Sequence, residues 1–275
     1  SALNQINKSN VKRLVPVWST SLGNEHGEQG QPFVHDGTLY AANVKRVVAM
    51  DVGTGRIKWN FDLVWDAQVP RVVCCGLNNR GVALFDGKVY VSSIDAYVYA
   101  LDAKSGKQLW KTKIAEWKDG YSITGAPSVV NGIVMSGMTG GEYGVRGFIV
   151  GLDAQTGKEV WRRHMIPGPG EPGNESWPGD TWKTGGVSVW ITGHYDPELN
   201  LTFWGTGNAG PWPADAHTGD NKHATSVVAI DPDTGEIGSQ EHVQIIEQPV
   251  DPEAEAYAAR LASRGLPAPA FAEAK

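Results

Sequence analysis

The sequence predicts an all-β fold, a β-propeller of four-stranded blades. Three observations predict it: a strand–turn–strand unit that recurs along the chain, a glycine-containing turn inside each copy, and an excess of glycine and tryptophan. The chain has 34 Gly and 11 Trp among 275 residues. Many tight turns between short strands need glycine, and large aromatic rings pack well between neighbouring sheets.

The repeat appears in four aligned segments. VVAMDVGTGRIKW ends at Trp59, VYALDAKSGKQLW at Trp110 and IVGLDAQTGKEVW at Trp161, whereas VVAIDPDTGEIGS ends at Ser239. The first three copies follow one another at a constant interval, and the fourth follows after a longer step. A β-sandwich with incidental turns is the alternative, and it does not explain a constant interval. Units of this size are typical of propeller blades.

Each copy contains the signals of two strands and a turn. An alternating apolar run predicts a half-buried strand, and Asp-x-x-(Thr/Ser)-Gly supplies a turn bonded by its side chain. The return strand ends in a Trp that can pack against the next unit. Upstream of the first three copies, VHDGTLYAA, LFDGKVYVS and VVNGIVMSG each place Asp-Gly or Asn-Gly between strands, as in a hairpin. Each unit should therefore contain about four strands.

The composition of the chain argues against some classes of binding partner. The net charge is -6 and no basic cluster is present, which argues against nucleic acid. No apolar run approaches the roughly 18 residues of a membrane span. The sequence shows no secretory leader and no starting Met, so we expect a mature or excised segment. Residues 1–240 should form a partial propeller, and the Ala/Pro-rich residues 241–275 a divergent tail with a helix-prone stretch.

Several segments resemble the pyrroloquinoline-quinone (PQQ) dependent alcohol and methanol dehydrogenases, the quinoproteins. The blade motif A-x-D-x-x-T-G-x-x-x-W is similar to their tryptophan-docking motif. VVCCGLNNRGVAL, SGMTGGEYGVRG, TWKTGGVSVW and WGTGNAGPW are more specific, because in that family they occur in this order and build the cofactor site. The resemblance covers residues 1 to about 240, which would be about half of the family's eight-bladed propeller.

The resemblance implies a function. Members of the family oxidise a primary alcohol to the aldehyde by hydride transfer to PQQ and pass the electrons to a cytochrome c in the periplasm. They hold Ca²⁺ or a lanthanide beside the cofactor. For this chain the implied partners are therefore PQQ, one such metal ion, a small alcohol and a cytochrome c, with no nucleic acid and no membrane span.

The cofactor residues are carried over from the matching motifs. The adjacent Cys74 and Cys75 could be two buried thiols, but a disulfide ring between neighbours needs a distorted peptide bond, and such strain is usually retained for a purpose. The resemblance implies that this ring packs on one face of PQQ and that Trp190 stacks on the other. A disulfide would also indicate an oxidising compartment.

The resemblance implies further contacts with the same cofactor. They are expected from Arg80, Thr124, Thr139, Gly140, Gly141 and Ser188. The three hydroxyls could instead be bonded locally within their strands, and that alternative stays open. Gln29 stands where the family commonly has a Glu, and the neighbouring Glu28 could take its place.

The metal ligands implied by the resemblance are Glu142 and Asn208. A carboxylate held between glycines is a suitable hard ligand for Ca²⁺ or a lanthanide, and an Asn amide oxygen can complete the set. The alternatives are a solvent-facing Glu and an Asn that serves only its turn.

The catalytic residue is left unassigned. The family's base is an Asp in an Asp-x-Trp-Asp-like motif, and EHVQIIEQPVDPEAEAY occupies the corresponding place, with Asp251 in a different context. Two other functions remain: a non-catalytic propeller scaffold, similar to outer-membrane assembly proteins with tryptophan repeats, and a truncated fragment without turnover. Adjacent cysteines, GGEYGVRG and GTGNAGPW in one chain favour the dehydrogenase.

Overall fold

The computed structural model describes residues 5–27, 29–74, 76–212 and 219–238, all within one compact unit, Ser1–Gly238. The predicted tail at 241–275 lies outside the described residues, as do Glu28, Cys75 and Asp251. No helix in the described ranges is long and apolar enough to cross a membrane.

The described chain forms four antiparallel sheets, each with its strands in chain order. The first contains β1 (Phe33–His35), β2 (Thr38–Ala42), β3 (Arg46–Asp51) and β4 (Ile57–Asp62). The second contains β5 (Val82–Phe85), β6 (Lys88–Ser93), β7 (Tyr97–Asp102) and β8 (Gln108–Lys113). The third contains β9 (Ser128–Val130), β10 (Ile133–Gly137), β11 (Phe148–Asp153) and β12 (Glu159–His164). The fourth contains β13 (His194–Asp196), β14 (Leu201–Gly205) and β15 (Val227–Ile230).

Short 3₁₀ helices lie before the first sheet, in the segments between the sheets and in the loop between β10 and β11. They span Val11–Arg13, Val69–Arg71, Trp117–Asp119, Gly141–Tyr143, Asn174–Ser176 and Thr181–Lys183. Four strands per unit are confirmed for the first three sheets. In the fourth, the described residues give three strands and an isolated antiparallel bridge between Ile230 and Ile237.

The predicted hairpins are confirmed by their backbone conformation. In Asp86-Gly87 both residues have positive φ, 46° and 69°, which is the requirement of a type I′ turn between twisted strands. Asp36-Gly37 and Asn131-Gly132 repeat this conformation in the neighbouring sheets. These turns join the first two strands of each unit, as the sequence predicts.

The Asp-x-x-(Thr/Ser)-Gly turns are closed by their own side chains. Asp153 Oδ1 accepts from both the backbone N–H and the hydroxyl of Thr156, each at 2.7 Å, and Gly157 follows with φ of 70°. The hydroxyl hydrogen bond holds the pKa of Asp153 below its usual value. Equivalent turns occur at Asp51, Asp102 and Asp231.

A tryptophan from the preceding segment docks on each of these turns. Trp110 Nε1 donates to Ala154 O at 3.1 Å while its ring covers Gly157, where a Cβ atom would lie 2.6 Å from the ring. Three further tryptophans make the same hydrogen bond: Trp18 to Val52 O, Trp59 to Ala103 O and Trp161 to Pro232 O. The prediction that the motif Trp packs against the next unit is confirmed.

The hydrophobic core lies between facing sheets. Tyr90, Val134, Phe148 and Leu152 belong to a buried cluster shared by the second and third sheets, and similar clusters join the first to the second and the third to the fourth. A smaller cluster around Val69 and Val73 supports the loop that precedes β5. Burial of these faces fixes the sheets next to one another and thereby positions the loops between them.

Candidate cofactor and metal site

A cavity of about 300 Å³ lies among the loops that connect the four sheets. Its wall contains seven of the residues that the sequence assigned to cofactor or metal, although they are far apart along the chain. The lining residues are Gln29, Cys74, Asn78, Arg80, Thr124, Thr139, Glu142, Ser188 and Trp190. Of the predicted residues, Gly140, Gly141 and Asn208 are not in this wall, and Cys75 is not among the described residues.

Arg80 and Trp190 come from different loops and meet at the cavity. The guanidinium carbon of Arg80 lies 5.0 Å from the centroid of the Trp190 ring, a cation–π arrangement. Arg80 Nη1 donates to Thr124 O at 3.3 Å, and the backbone N–H of Arg80 donates to the same oxygen at 3.0 Å. Burial lowers the pKa of Arg80, but a guanidinium remains charged at neutral pH. The cavity therefore contains one fixed cation beside a flat aromatic surface.

The segment that contains Cys74 contributes a residue that the sequence analysis missed. Asn78 is buried and lines the cavity between Cys74 and Arg80. The motif CCGLNNRG could have indicated Asn78, because its amide lies two positions before the assigned Arg80 in the same loop. Gln29, left open against Glu28, also lines the cavity.

The three assigned hydroxyl residues all reach the cavity wall. Thr124 and Ser188 are each 7% exposed, and Thr139 is half-buried. Ser188 is held by its neighbours, since Gly207 N donates to Ser188 O at 2.8 Å. Thr139 forms an antiparallel bridge with Ser122, and their hydroxyl oxygens are 2.5 Å apart. One of the three hydroxyls is thus bonded locally while it faces the cavity.

Gly140 and Gly141 shape the loop that presents Glu142. Gly140 has φ of 115°, and a Cβ there would lie 2.0 Å from Gly120 O, so only glycine permits this approach. Glu142 lies in the helix Gly141–Tyr143, which is followed by Gly144 with φ of 72°. Glycines in the left-handed conformation therefore flank this helix on both sides, and Glu142 is an exposed residue of the cavity wall.

Asn208 lies close to the same loop, outside the cavity wall. The backbone carbonyl of Asn208 accepts from Val187 N at 3.0 Å. A Cβ at Gly186 would lie 3.1 Å from Asn208 O and 3.3 Å from Gly141 O. The backbones next to the two assigned metal ligands therefore converge on Gly186. The described residues contain no cluster of three or more His, Cys, Asp or Glu side chains suited to a metal, so this pair would need ligands from elsewhere.

A second cavity, of about 660 Å³, lies along the first strands of the four sheets. Its wall includes Phe33, Leu84, Val129 and Tyr195, and it shares Gln29 and Arg80 with the smaller cavity. We call it the inner-strand cavity. Of its lining residues, Arg80 is the one that the sequence assigned to the cofactor.

Comparison with known proteins identifies the family. The family model for the β-propeller domain of PQQ-dependent glucose, ethanol and alcohol dehydrogenases matches residues 1–250 of this chain. The quinoprotein alcohol dehydrogenase PedH of Pseudomonas putida is 40% identical over 258 residues, covering 86% of this chain and 43% of that protein. The lanthanide-dependent methanol dehydrogenase of Methylacidiphilum fumariolicum is also 40% identical, covering 86% and 42%.

Solved structures agree with these relatives. A europium-containing methanol dehydrogenase superposes with a TM-score of 0.81 at 39% identity, covering 86% of this chain and 45% of that one. The quinohemoprotein alcohol dehydrogenase of Comamonas testosteroni gives 0.81 at 40% identity, covering 87% and 38%. The chain thus spans less than half the length of these relatives. It belongs to the PQQ-dependent glucose, ethanol and alcohol dehydrogenase family and contains a part of that family's β-propeller domain.

Proposed function

We propose that this chain is the cofactor-holding part of a PQQ- and metal-dependent dehydrogenase that oxidises a primary alcohol to the aldehyde. The observation that carries the proposal is the convergence of seven assigned residues on one cavity of about 300 Å³. The catalytic base is assigned to none of the residues of this chain, because the family's Asp-x-Trp-Asp-like motif has no match in the sequence.

The cavity residues fit the chemistry of PQQ. PQQ is a flat ortho-quinone with three carboxylates, so it needs a flat wall, a cation and several hydrogen-bond donors. Trp190 offers the wall, Arg80 the cation, and the hydroxyls of Thr124, Thr139 and Ser188 the donors. When bound, PQQ supplies the hydride acceptor for alcohol oxidation; the residues of this chain bind it, orient it and exclude water from its faces.

We assign the opposite wall to a disulfide between Cys74 and Cys75. Cys74 lines the cavity, and its neighbour in the chain is the second cysteine. A ring between adjacent cysteines is rigid and apolar, which suits a surface that packs on a flat cofactor. Such a bond persists in oxidising compartments, so the proposal also places the protein in the periplasm, with a cytochrome c as electron acceptor.

We assign the metal, Ca²⁺ or a lanthanide, to Glu142 and Asn208. A carboxylate and an amide oxygen are hard ligands of the kind both ions prefer, and a bound cofactor would add further oxygens. The test is Tb³⁺ luminescence on direct excitation of the ion in the presence of PQQ. Glu142→Gln should abolish the signal, whereas Glu198→Gln, in the exposed β13–β14 hairpin, should retain it. Equal signals in both variants would remove Glu142 from the ligand set.

The proposed function is tested by adding PQQ to the purified chain with Ca²⁺ or La³⁺. Binding is read by equilibrium dialysis and by quenching of tryptophan fluorescence, and turnover by alcohol-dependent dye reduction. Saturable binding with quenching lost in Trp190→Leu and kept in Trp212→Leu is the expected result. Trp212 is the matched control because it is 65% exposed and outside the cavity wall. Absence of saturable binding under both metal conditions would contradict the proposal.

Measurements of turnover distinguish an active dehydrogenase from a fragment without turnover and from a non-catalytic scaffold. Binding without dye reduction would identify this chain as a cofactor-binding part that needs the base from elsewhere. Dye reduction would show that the chain alone completes an active site. A non-catalytic scaffold would give neither binding nor turnover.

A further inference from the structure

The buried hydroxyl of Ser122 has a role that the sequence motifs do not assign. Ser122 is 2% exposed and lies outside the cavity wall. Its Oγ is 2.5 Å from Thr139 Oγ1, and the two residues are joined by backbone hydrogen bonds in both directions, Thr139 N to Ser122 O at 2.8 Å and Ser122 N to Thr139 O at 3.3 Å. This bridge fixes the two side chains against each other.

The approach of the two loops is built into the sequence. Gly140 follows Thr139, and a Cβ there would lie 2.0 Å from Gly120 O. Gly120 itself has φ of 95°, which again favours glycine. The two glycines therefore permit a contact that brings one hydroxyl to the cavity and buries the other behind it.

The direction of the hydrogen bond follows from burial. Each hydroxyl has a single proton, and only one proton can lie between the two oxygens. Among the described residues, Thr139 Oγ1 is the side-chain or backbone acceptor that Ser122 Oγ reaches. If Thr139 were the donor, the Ser122 proton would be buried without an acceptor, which is costly. Ser122 therefore donates, and the proton of Thr139 is left to point into the cavity.

We propose that Ser122 is a positioning residue that makes Thr139 a committed hydrogen-bond donor to the ligand in this cavity. The inference rests on the proposed binding of PQQ and specifies it further. A hydroxyl that already accepts from Ser122 is polarised to donate, so it matches a carboxylate or quinone oxygen of the ligand. Thr139 touches the ligand, and Ser122 acts through Thr139.

The test is a double-mutant cycle on PQQ affinity, measured by fluorescence quenching. Thr139→Val should weaken binding by about tenfold, and Ser122→Ala by about threefold, as expected for a hydrogen bond to a charged acceptor. The double variant should bind no more weakly than Thr139→Val alone. Ser136→Ala is the matched control, because Ser136 is 1% exposed, pairs with the buried Ser92 at 3.4 Å and does not line the cavity. It should bind PQQ as the unaltered chain does.

Two outcomes would overturn the inference. One is a Ser122→Ala variant with unchanged affinity, and the other is a double variant in which the two losses multiply. If the unaltered chain fails to bind PQQ, that result contradicts the proposed function and not the inference about Ser122. The hydrogen bond between Ser122 and Thr139 is then tested by urea unfolding in the absence of ligand. Thr139→Val should lower the urea midpoint because it leaves the Ser122 proton without an acceptor, and adding Ser122→Ala should restore part of the loss. No recovery in the double variant would mean that Ser122 does not depend on Thr139.

Discussion

At the scale of single residues, the cavity depends on pairs of side chains from different loops. Arg80 lies over the ring of Trp190, and two of its N–H groups donate to Thr124 O. The planar guanidinium can do both at once, whereas a lysine ammonium is a compact charge without a flat face. The charge, the aromatic ring and the peptide oxygen are thereby locked into one arrangement.

Replacement of Arg80 by lysine tests that arrangement. Arg80→Lys keeps the charge and the backbone hydrogen bond but loses the stacking on Trp190 and the guanidinium hydrogen bond to Thr124 O, so PQQ affinity should fall by about tenfold. Arg71→Lys is the control, because Arg71 is exposed and belongs to the same connecting loop. Affinities are compared by equilibrium dialysis. If both variants bind as tightly as the unaltered chain, charge alone accounts for the role of Arg80.

His164 adds a pH dependence to stability. It lies on β12 with its ring 5.6 Å from that of Phe148, and burial, reinforced by Arg146 and Arg162, lowers its pKa to about 4. Because the folded pKa is below the ordinary value, the folded state binds fewer protons than the unfolded chain. The contribution of His164 is complete above about pH 6.5 and is lost as the pH falls towards 4.

The expected loss across this interval is about 1–2 kcal/mol, reduced from the full shift because the side chain is partly exposed. His164→Gln removes the titrating group, so its urea unfolding free energy should fall less steeply from pH 6.5 to 4 than that of the unaltered chain. Equal slopes for both proteins would refute the assignment of this acid sensitivity to His164.

At the scale of the element, the turn and the tryptophan act as one unit. The glycine of the Asp-x-x-(Thr/Ser)-Gly turn has no side chain, so the indole ring of the preceding segment can pack on it. The indole N–H donates to a backbone carbonyl of the same turn. In the third sheet the docking also involves Thr112, whose hydroxyl donates to Gly157 O at 2.7 Å. The same pair of contacts recurs where Trp18 and Thr20 meet Gly55. The repeat in the sequence is therefore a repeat of inter-sheet contacts.

Alanine substitutions at Gly157 and Gly132 distinguish the stability lost from tryptophan docking from the stability lost through backbone strain. Gly157→Ala adds a Cβ 2.6 Å from the Trp110 ring at φ of 70°, whereas Gly132→Ala adds one at φ of 79° with no atom within 4 Å. The control should lose about 1 kcal/mol from the positive φ, and Gly157→Ala should lose about 2–4 kcal/mol because the docked ring must also move. Urea unfolding measures both. Similar losses would mean that the docking contributes little to stability.

At the scale of the whole molecule, local signals predicted more than long-range ones. The blade repeat, the Asp-Gly and Asn-Gly hairpins and the docking tryptophans are short patterns whose physics acts within a turn or between successive units, so the sequence sufficed for them. Ser122 and Asn78 were missed because their importance depends on how separate loops close around the cavity. That closure requires Gly120 and Gly140 together, and no local spacing expresses it.

The site is assembled in the same way. Glu142 and Trp190 reach one cavity because the cores between the sheets fix the loops that contain them. We therefore expect the cavity to bind PQQ whether or not this chain oxidises an alcohol.

The most direct measurement is a crystal structure of the chain grown with saturating PQQ and La³⁺. The account predicts flat density between Trp190 and Cys74, Arg80 and Thr139 within hydrogen-bond distance of cofactor oxygens, and the metal on Glu142 and Asn208. An empty cavity at saturating PQQ, or PQQ bound in the inner-strand cavity instead, would contradict it.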